Sequence, residues 1–124
     1  MTIHDEIKDL KSKQNQLKED YQNEERRVKC IQDTMDKTTQ RLHQSFYETL
    51  EDTLVGLSIE ASDDIRQQVI HNYEQADQQL SDSYQKATNK VQEEWEDFQV
   101  KNRWARQELS DRLTELRRKE SSDG

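Results

Sequence analysis

Apolar residues recur along the first half of the chain at spacings of three and four: Ile3, Ile7, Leu10, Leu17, Val28, Ile31, Met35 and Leu42, with Tyr21 filling one place in the series. Such a stripe is the seam of an amphipathic helix written in heptads. Gln14, Glu24, Thr38 and Ser45 occupy seam places too, which weakens the case for a tight self-pairing zipper. After Leu42 the steps become four by four, through Phe46, Leu50 and Leu54, which rotates the stripe around the helix. Tyr47 widens the apolar face there, and the pattern predicts the best packing of the two arms close to the middle of the chain.

The second half follows a different period. Val69, Tyr73 and Ala76 are followed eleven residues later by Leu80, Tyr84 and Ala87, and again by Val91, Trp95 and Phe98. A weaker fourth repeat brings Asn102, Ala105 and Leu109, then Leu113 and Leu116. Eleven residues in three turns is ~3.67 per turn, which gives a straight or slightly right-handed stripe where heptads coil to the left. The two arms therefore differ in period, and a straighter hairpin is expected in place of a uniform left-handed coiled coil. At ~100° per residue, Val100 and Trp104 lie nearly opposite this stripe and form a second small apolar patch. Trp104 reads either as a solitary surface tryptophan or as a partner contact.

Between the arms lies Leu54-Val55-Gly56-Leu57-Ser58-Ile59, with one of only two glycines. Glycine takes the left-handed position after a helix without a Cβ clash, so the first helix is expected to stop at Gly56. Ser58 or Ser62 can cap the next helix, whose first turn carries Asp63 and Asp64. The apolar side chains around the bend predict that it is packed. Thr2 can cap the first helix, ahead of Asp5 and Glu6. Arg112, Arg117, Arg118 and Lys119 suit the dipole at the end of the second, and residues 120–124 read as a frayed tail. The fold expected is all-α: one domain over 1–124, a long antiparallel hairpin with helices at 3–54 and 63–119 and a bend at 55–62, packing with further helices into a bundle.

Composition supports that outline. Hydrophobic residues are 29% of the chain and charged residues 37%, too little apolar surface to fill a compact core but enough to line one stripe per helix. Proline is absent, so nothing breaks either arm. Disorder in isolation competes with this reading, given a formal charge of -8, but sustained periodicity favours helices that order when they pair. No run of ~18 apolar residues exists and the N-terminus lacks the marks of a signal peptide, so a soluble cytosolic protein without membrane insertion is expected. The acidic balance disfavours nucleic acid as a partner. Cys30, the single cysteine, reads as a reduced bystander or as one half of a disulfide between two chains.

The chemistry of catalysis is not written here. His4, His43 and His71 fall in no His/Glu or His/Cys pattern at one-turn spacing, there is no glycine-rich phosphate loop, and Cys30 has no evident base. A thin hairpin offers little burial to separate carboxylate pKa values. Neither an enzyme nor a cofactor is expected.

Three segments carry a family likeness: Tyr21-Gln22-Asn23-Glu24-Glu25-Arg26-Arg27-Val28, Gln44-Ser45-Phe46-Tyr47-Glu48, and Arg112-Leu113-Thr114-Glu115-Leu116-Arg117-Arg118-Lys119-Glu120. With them the chain resembles the LXG-toxin-associated α-helical proteins of the Gram-positive type VII secretion system. The resemblance implies a cytosolic targeting factor that binds the helical N-terminal LXG domain of a toxin, together with a second small helical factor or alone, and presents it for export. Co-export with the client is the variant of that reading. The chain departs from the related type VII hairpins at the turn, where Leu54-Val55-Gly56 stands in place of Trp-X-Gly. Tyr21 with Glu25, Tyr47 with Glu51 and Tyr73 with Asp77 fit the Tyr-X-X-X-Asp/Glu export pattern, but none follows the second helix, so none is read as the signal.

Two functions follow from the pattern. One is an adaptor or secretion chaperone that completes a bundle with partner helices through Ile31, Met35, Leu42, Phe46 and Leu50 on the first arm and Tyr73, Leu80, Tyr84, Val91, Trp95 and Phe98 on the second, with Trp104 as an outer contact. The other is a scaffold that pairs with itself into a homodimeric four-helix bundle. A prefoldin-like chaperone is disfavoured because no β-rich stretch joins the arms. Light scattering on a sizing column, with a circular dichroism melt of the same sample, separates the two: the adaptor is expected as a helical monomer that melts with little cooperativity, the scaffold as a cooperative dimer.

Overall fold

The computed structural model describes residues 2–57 and 61–123. Two long helices, α1 (Ile3–Gly56) and α2 (Asp63–Asp123), pack against each other as an antiparallel hairpin. Each begins on the side chain that its sequence offers. Asp5 N–H donates to Thr2 Oγ1 at 3.1 Å while Thr2 N–H reaches back to Asp5 Oδ2 at 3.4 Å, a reciprocal cap. Ser62 caps α2 in one direction, its Oγ accepting from Ile65 N–H at 3.3 Å. Ser58 and Ile59 lie outside the described residues.

α1 stops at Gly56 as expected, while the geometry of that stop and the end of α2 differ from expectation. Gly56 closes α1 with no positive φ, the Leu57 N–H still bonds Thr53 O at 3.1 Å, and nothing stands within 4 Å of where a Cβ would sit. Neither backbone strain nor crowding requires glycine there. Val55 is 86% exposed while Leu54 and Leu57 on either side of it are half-buried, so of the described apolar run only these two leucines are partly covered. At the other end α2 continues through residues 120–123, where Ser122 Oγ bonds back to Arg118 O at 3.1 Å. With no helix breaker before Gly124 the ladder runs on, and the last turn holds no basic residue.

The hairpin divides into two compact units, a terminal unit (Met1–Lys29 with Gln92–Gly124) and a bend unit (Cys30–Val91). In the terminal unit α1 keeps heptad steps, its inward places running Ile3, Ile7, Leu10, Gln14, Leu17, Tyr21, Glu24 and Val28. The core is here. Leu10 and Leu113 are each only 3% exposed, and Ile7 joins them with Ile3, Leu109 and Leu116 packed around. The expectation that the arms pack best near Tyr47 is overturned, because Tyr47 is exposed and the fully covered apolar side chains among the described residues are these three.

In the bend unit both helices follow the eleven-residue period. On α2 the inward face holds Val69, Tyr73 and Ala76, then Leu80, Tyr84 and Ala87, as the sequence predicts. On α1 it holds Gln32, His43 and Leu54 at one repeat position and Met35 and Phe46 at another, which Leu57 continues just past the helix end. The heptad seam therefore ends at Met35, seven residues earlier than the sequence suggested. Thr38, Leu42 and Ser45 turn outward, with Leu42 40% exposed, and Thr39 and His43 take the inward places. The physical reason is the partner: a heptad stripe drifts around a straight helix, and only an eleven-residue stripe stays in register with the eleven-residue face of α2. The expected disagreement in period between the arms does not occur inside this unit.

The two placements make a stability contrast. Leu113→Ala is expected to destabilise the hairpin by about 2–5 kcal/mol, the cost of emptying a packed core site. Leu42→Ala should stay within about 0.5 kcal/mol, as for an exposed side chain. Thermal or urea unfolding followed by circular dichroism measures both.

Candidate partner-binding surface

Within the terminal unit the aromatic side chains gather around Tyr21. Its ring centroid lies 5.3 Å from that of Trp95 and 6.4 Å from that of Phe98, both tilted, while Trp95 and Phe98 stack at 5.9 Å and 11°. The Arg106 guanidinium sits 5.6 Å over the Tyr21 ring. Gln99 Nε2 donates to Tyr21 Oη at 3.1 Å and Asn102 Nδ2 to Leu17 O at 3.0 Å, so this stretch of the seam is tied by side-chain amides as well as by ring contacts. Asn102 is 5% exposed and its Oδ1 accepts no bond, as Arg106 Nε donates none. All three aromatic residues stay half-buried.

The bend unit is tied by a second polar group. Gln32 Nε2 donates to Asp36 Oδ1 at 2.9 Å, to Tyr84 Oη at 3.2 Å and to Thr88 Oγ1 at 3.3 Å, and the Tyr84 hydroxyl donates to Asp36. One repeat on, His43 Nδ1 meets the Asp77 carboxylate. Gln32 with Thr88 and His43 with Asp77 follow one rule: eleven residues forward on α1 are matched by eleven back on α2. His71 is exposed on the other helix face and does not join His43. Among the described residues, no three His, Cys, Asp or Glu side chains converge on a point that could hold a metal ion.

The sequence-predicted contact residues fall into two groups. Ile31, Met35, Phe46, Leu50, Tyr73, Leu80, Tyr84, Val91, Trp95 and Phe98 are half-buried along the seam, each partly covered by the opposite helix and partly open. Leu42 and Trp104 lie outside the seam, Trp104 72% exposed with Val100 also exposed one turn before it. Of the tyrosine patterns, Tyr47 and Glu51 bond each other, and the carboxylate raises the phenol pKa. Glu25 is taken by Lys29 at 3.2 Å and Asp77 by His43, so Tyr21 and Tyr73 belong to the seam.

Sequence reasoning missed the polar ties and one groove. The signal for Asn102 was present, since it stands at the repeat position that Val69, Leu80 and Val91 fill with apolar side chains. That for the groove was not. Phe46, Leu50, Val69, Tyr73 and Ala76 floor a shallow channel walled by Ser45, Thr49, Thr53 and Asn72. Apart from Ser45, its walls are residues that a stripe written on one helix does not include.

Among the described residues no helix is long and apolar enough to cross a membrane. No protein-family model, curated protein or solved structure matches the chain.

Glu24 explains one polar interruption of the seam. Arg27 bonds its carboxylate through Nη2 at 2.6 Å and through Nε at 3.0 Å. The guanidinium hydrogen bond holds the Glu24 pKa below the ordinary carboxylate value, and the Arg27 pKa is raised in return. A depressed folded-state pKa contributes stability above the unfolded value, and that contribution is lost as pH falls through the folded one. Arg27→Gln is expected to move the Glu24 midpoint upward in a carboxyl-carbon NMR titration and to remove this acid-side dependence.

Proposed function

We propose that the protein is a non-enzymatic adaptor whose seam is completed by helices of a partner protein. The observation that carries the reading is the incomplete cover of the seam: Tyr21, Phe46, Tyr73, Tyr84, Trp95 and Phe98 all remain half-open, and of the hydrophobic side chains described only Ile7, Leu10 and Leu113 are buried. Large aromatic side chains at such positions supply most of the energy of helix–helix recognition when water is excluded from them. One long helix against one other cannot exclude it, and bundle packing around the stripe can.

The resemblance in the Tyr21–Val28 and Arg112–Glu120 segments gives the partner its class, the helical N-terminal LXG domain of a toxin exported by the type VII system. On this reading the protein acts before export and holds the client's helices in a paired state. A net charge of -8 keeps the free hairpin soluble and opposes close self-association.

The test is assembly. The chain mixed with a purified LXG domain is expected to co-elute as one complex whose mass by light scattering is a sum of the two, with a melting transition sharper than that of either part. A homodimer that forms without the LXG domain and ignores it would replace the adaptor with the scaffold.

A further inference from the structure

The terminal unit carries a groove whose charge is of a single sign. It runs between Gln14 and Lys18 on α1 and Arg103, Arg106, Gln107 and Ser110 on α2, so that three cations and no carboxylate line it. Two other grooves of the same unit are balanced. One sets Glu6, Asp9 and Glu115 against Lys13, Arg112 and Lys119, and the other sets Glu108 against Lys13.

The imbalance is written in the sequence. Four lysines elsewhere pair with a carboxylate four residues before them: Lys13 with Asp9, Lys29 with Glu25, Lys37 with Asp33 and Lys119 with Glu115. At the places four residues away Lys18 has Gln14 and Gln22, Arg103 has Gln99 and Gln107, and Arg106 has Asn102 and Ser110. Nor does a carboxylate stand three residues from any of them, in a chain with 27 acidic residues out of 124. Among the described residues none of the three cations makes an ion pair. The carboxylate of Asp111 is held by Gln107 Nε2 at 3.0 Å, outside the lining.

Arg106 is the fixed member of the three. Its guanidinium lies 5.6 Å over the Tyr21 ring, and its Nε is buried without a bond. A guanidinium that has lost part of its hydration and has no counter-charge leaves a positive potential in the groove. Arg103, exposed one turn before it on the same helix, adds to that potential, and like charges at this spacing repel. The free hairpin therefore carries a cost that an anion in the groove removes. Spacing and charge select the anion. Two arginines one helical turn apart match two carboxylates one turn apart on a facing helix, each held through parallel N–H bonds. Nucleic acid fits less well, because a net charge of -8 repels a polyanion and no aromatic side chain lines the groove for a base to stack on. The same net charge opposes a second copy. We infer that this groove takes the carboxylates of one acidic helix of another protein, held by Arg103 and Arg106 on one wall and Lys18 on the other. The inference rests on the adaptor reading and gives the partner a sign of charge.

The probe is a set of synthetic alanine-rich helices bearing glutamates, glutamines or lysines at one-turn spacing, titrated into the full chain by fluorescence anisotropy. The glutamate helix is expected to bind saturably and to weaken as salt is raised, and the glutamine helix is not expected to bind. Lys18→Gln and Arg103→Gln, both at exposed positions, should each weaken it by about fivefold or more with helicity unchanged. Lys101→Gln removes the same charge from α2 outside the groove and should leave binding unchanged. Arg103→Glu should exchange the preference, admitting the lysine helix, which a merely structural role for Arg103 would not do. No binding, equal binding of the glutamine helix, or full binding by the Arg103→Glu chain overturns the inference. So does tighter binding of inorganic phosphate or of single-stranded DNA than of the glutamate helix, which assigns the groove to phosphates, or a homodimer that Arg103→Glu converts to monomer, which assigns it to a second copy. An LXG domain assayed with the same variants separates the two proposals: binding that Arg103→Glu does not disturb keeps the adaptor and removes this site, and a bound glutamate helix with no LXG binding keeps the site and removes that client.

Discussion

A helix that packs against one neighbour can hide only the arc that faces it, and each helix of this hairpin has one neighbour. That limit accounts for the state of the seam. Side chains as large as Trp95 and Phe98 are caught between the helices yet stay half-open, because the space that would cover their outer edges belongs to no residue of the chain. Where two leucines meet among other aliphatic side chains, at Leu10 and Leu113, the same geometry suffices and cover is nearly complete. The apolar content of the chain is matched to that limit: enough for a stripe on each arm, too little to fill a compact core from this chain alone.

With so little apolar cover, alignment of the arms depends on polar side chains. A pair of apolar stripes tolerates sliding by a repeat, since one leucine replaces another. A slide within the bend unit would part Gln32 from Thr88 and His43 from Asp77, one within the terminal unit would part Asn102 from Leu17 O, and a half-buried polar group without its partner is costly. The ties therefore act as marks of register, as single polar seam residues do in coiled coils. Asn102 makes only part of its possible bonds, a sign that position, more than the number of bonds, is what this residue supplies.

Much of this architecture was legible in the sequence, and the failures are specific. The eleven-residue stripe on α2 was read residue for residue, because that helix has one clear period and apolar side chains at nearly every step. The α1 stripe was misread beyond Met35 because Leu42 is apolar and His43 is not, and hydropathy alone chooses the leucine. The structure chooses the histidine, since Asp77 stands one repeat along on the facing helix to receive it. Burial at the chain ends was missed for a related reason: periodicity tells which face turns inward and is silent on how tightly the two faces meet. The channel beside Phe46 could not be found on either helix alone, as both helices line it.

The spacing of the ties also bears on how such a hairpin closes. His43 and Asp77 are 34 residues apart along the chain, Asp36 and Tyr84 48, Tyr21 and Gln99 78, and Leu17 and Asn102 85. Closing the longest loop from an open chain carries the largest entropy loss, but each tie made nearer the turn leaves only a short segment for the next to close. Within the bend unit the contact of His43 with Asp77 shortens the loop left for Asp36 and Tyr84 to close, and within the terminal unit the bond of Gln99 to Tyr21 does the same for Leu17 and Asn102. Each unit thus carries its own step from the costlier closure to the cheaper one.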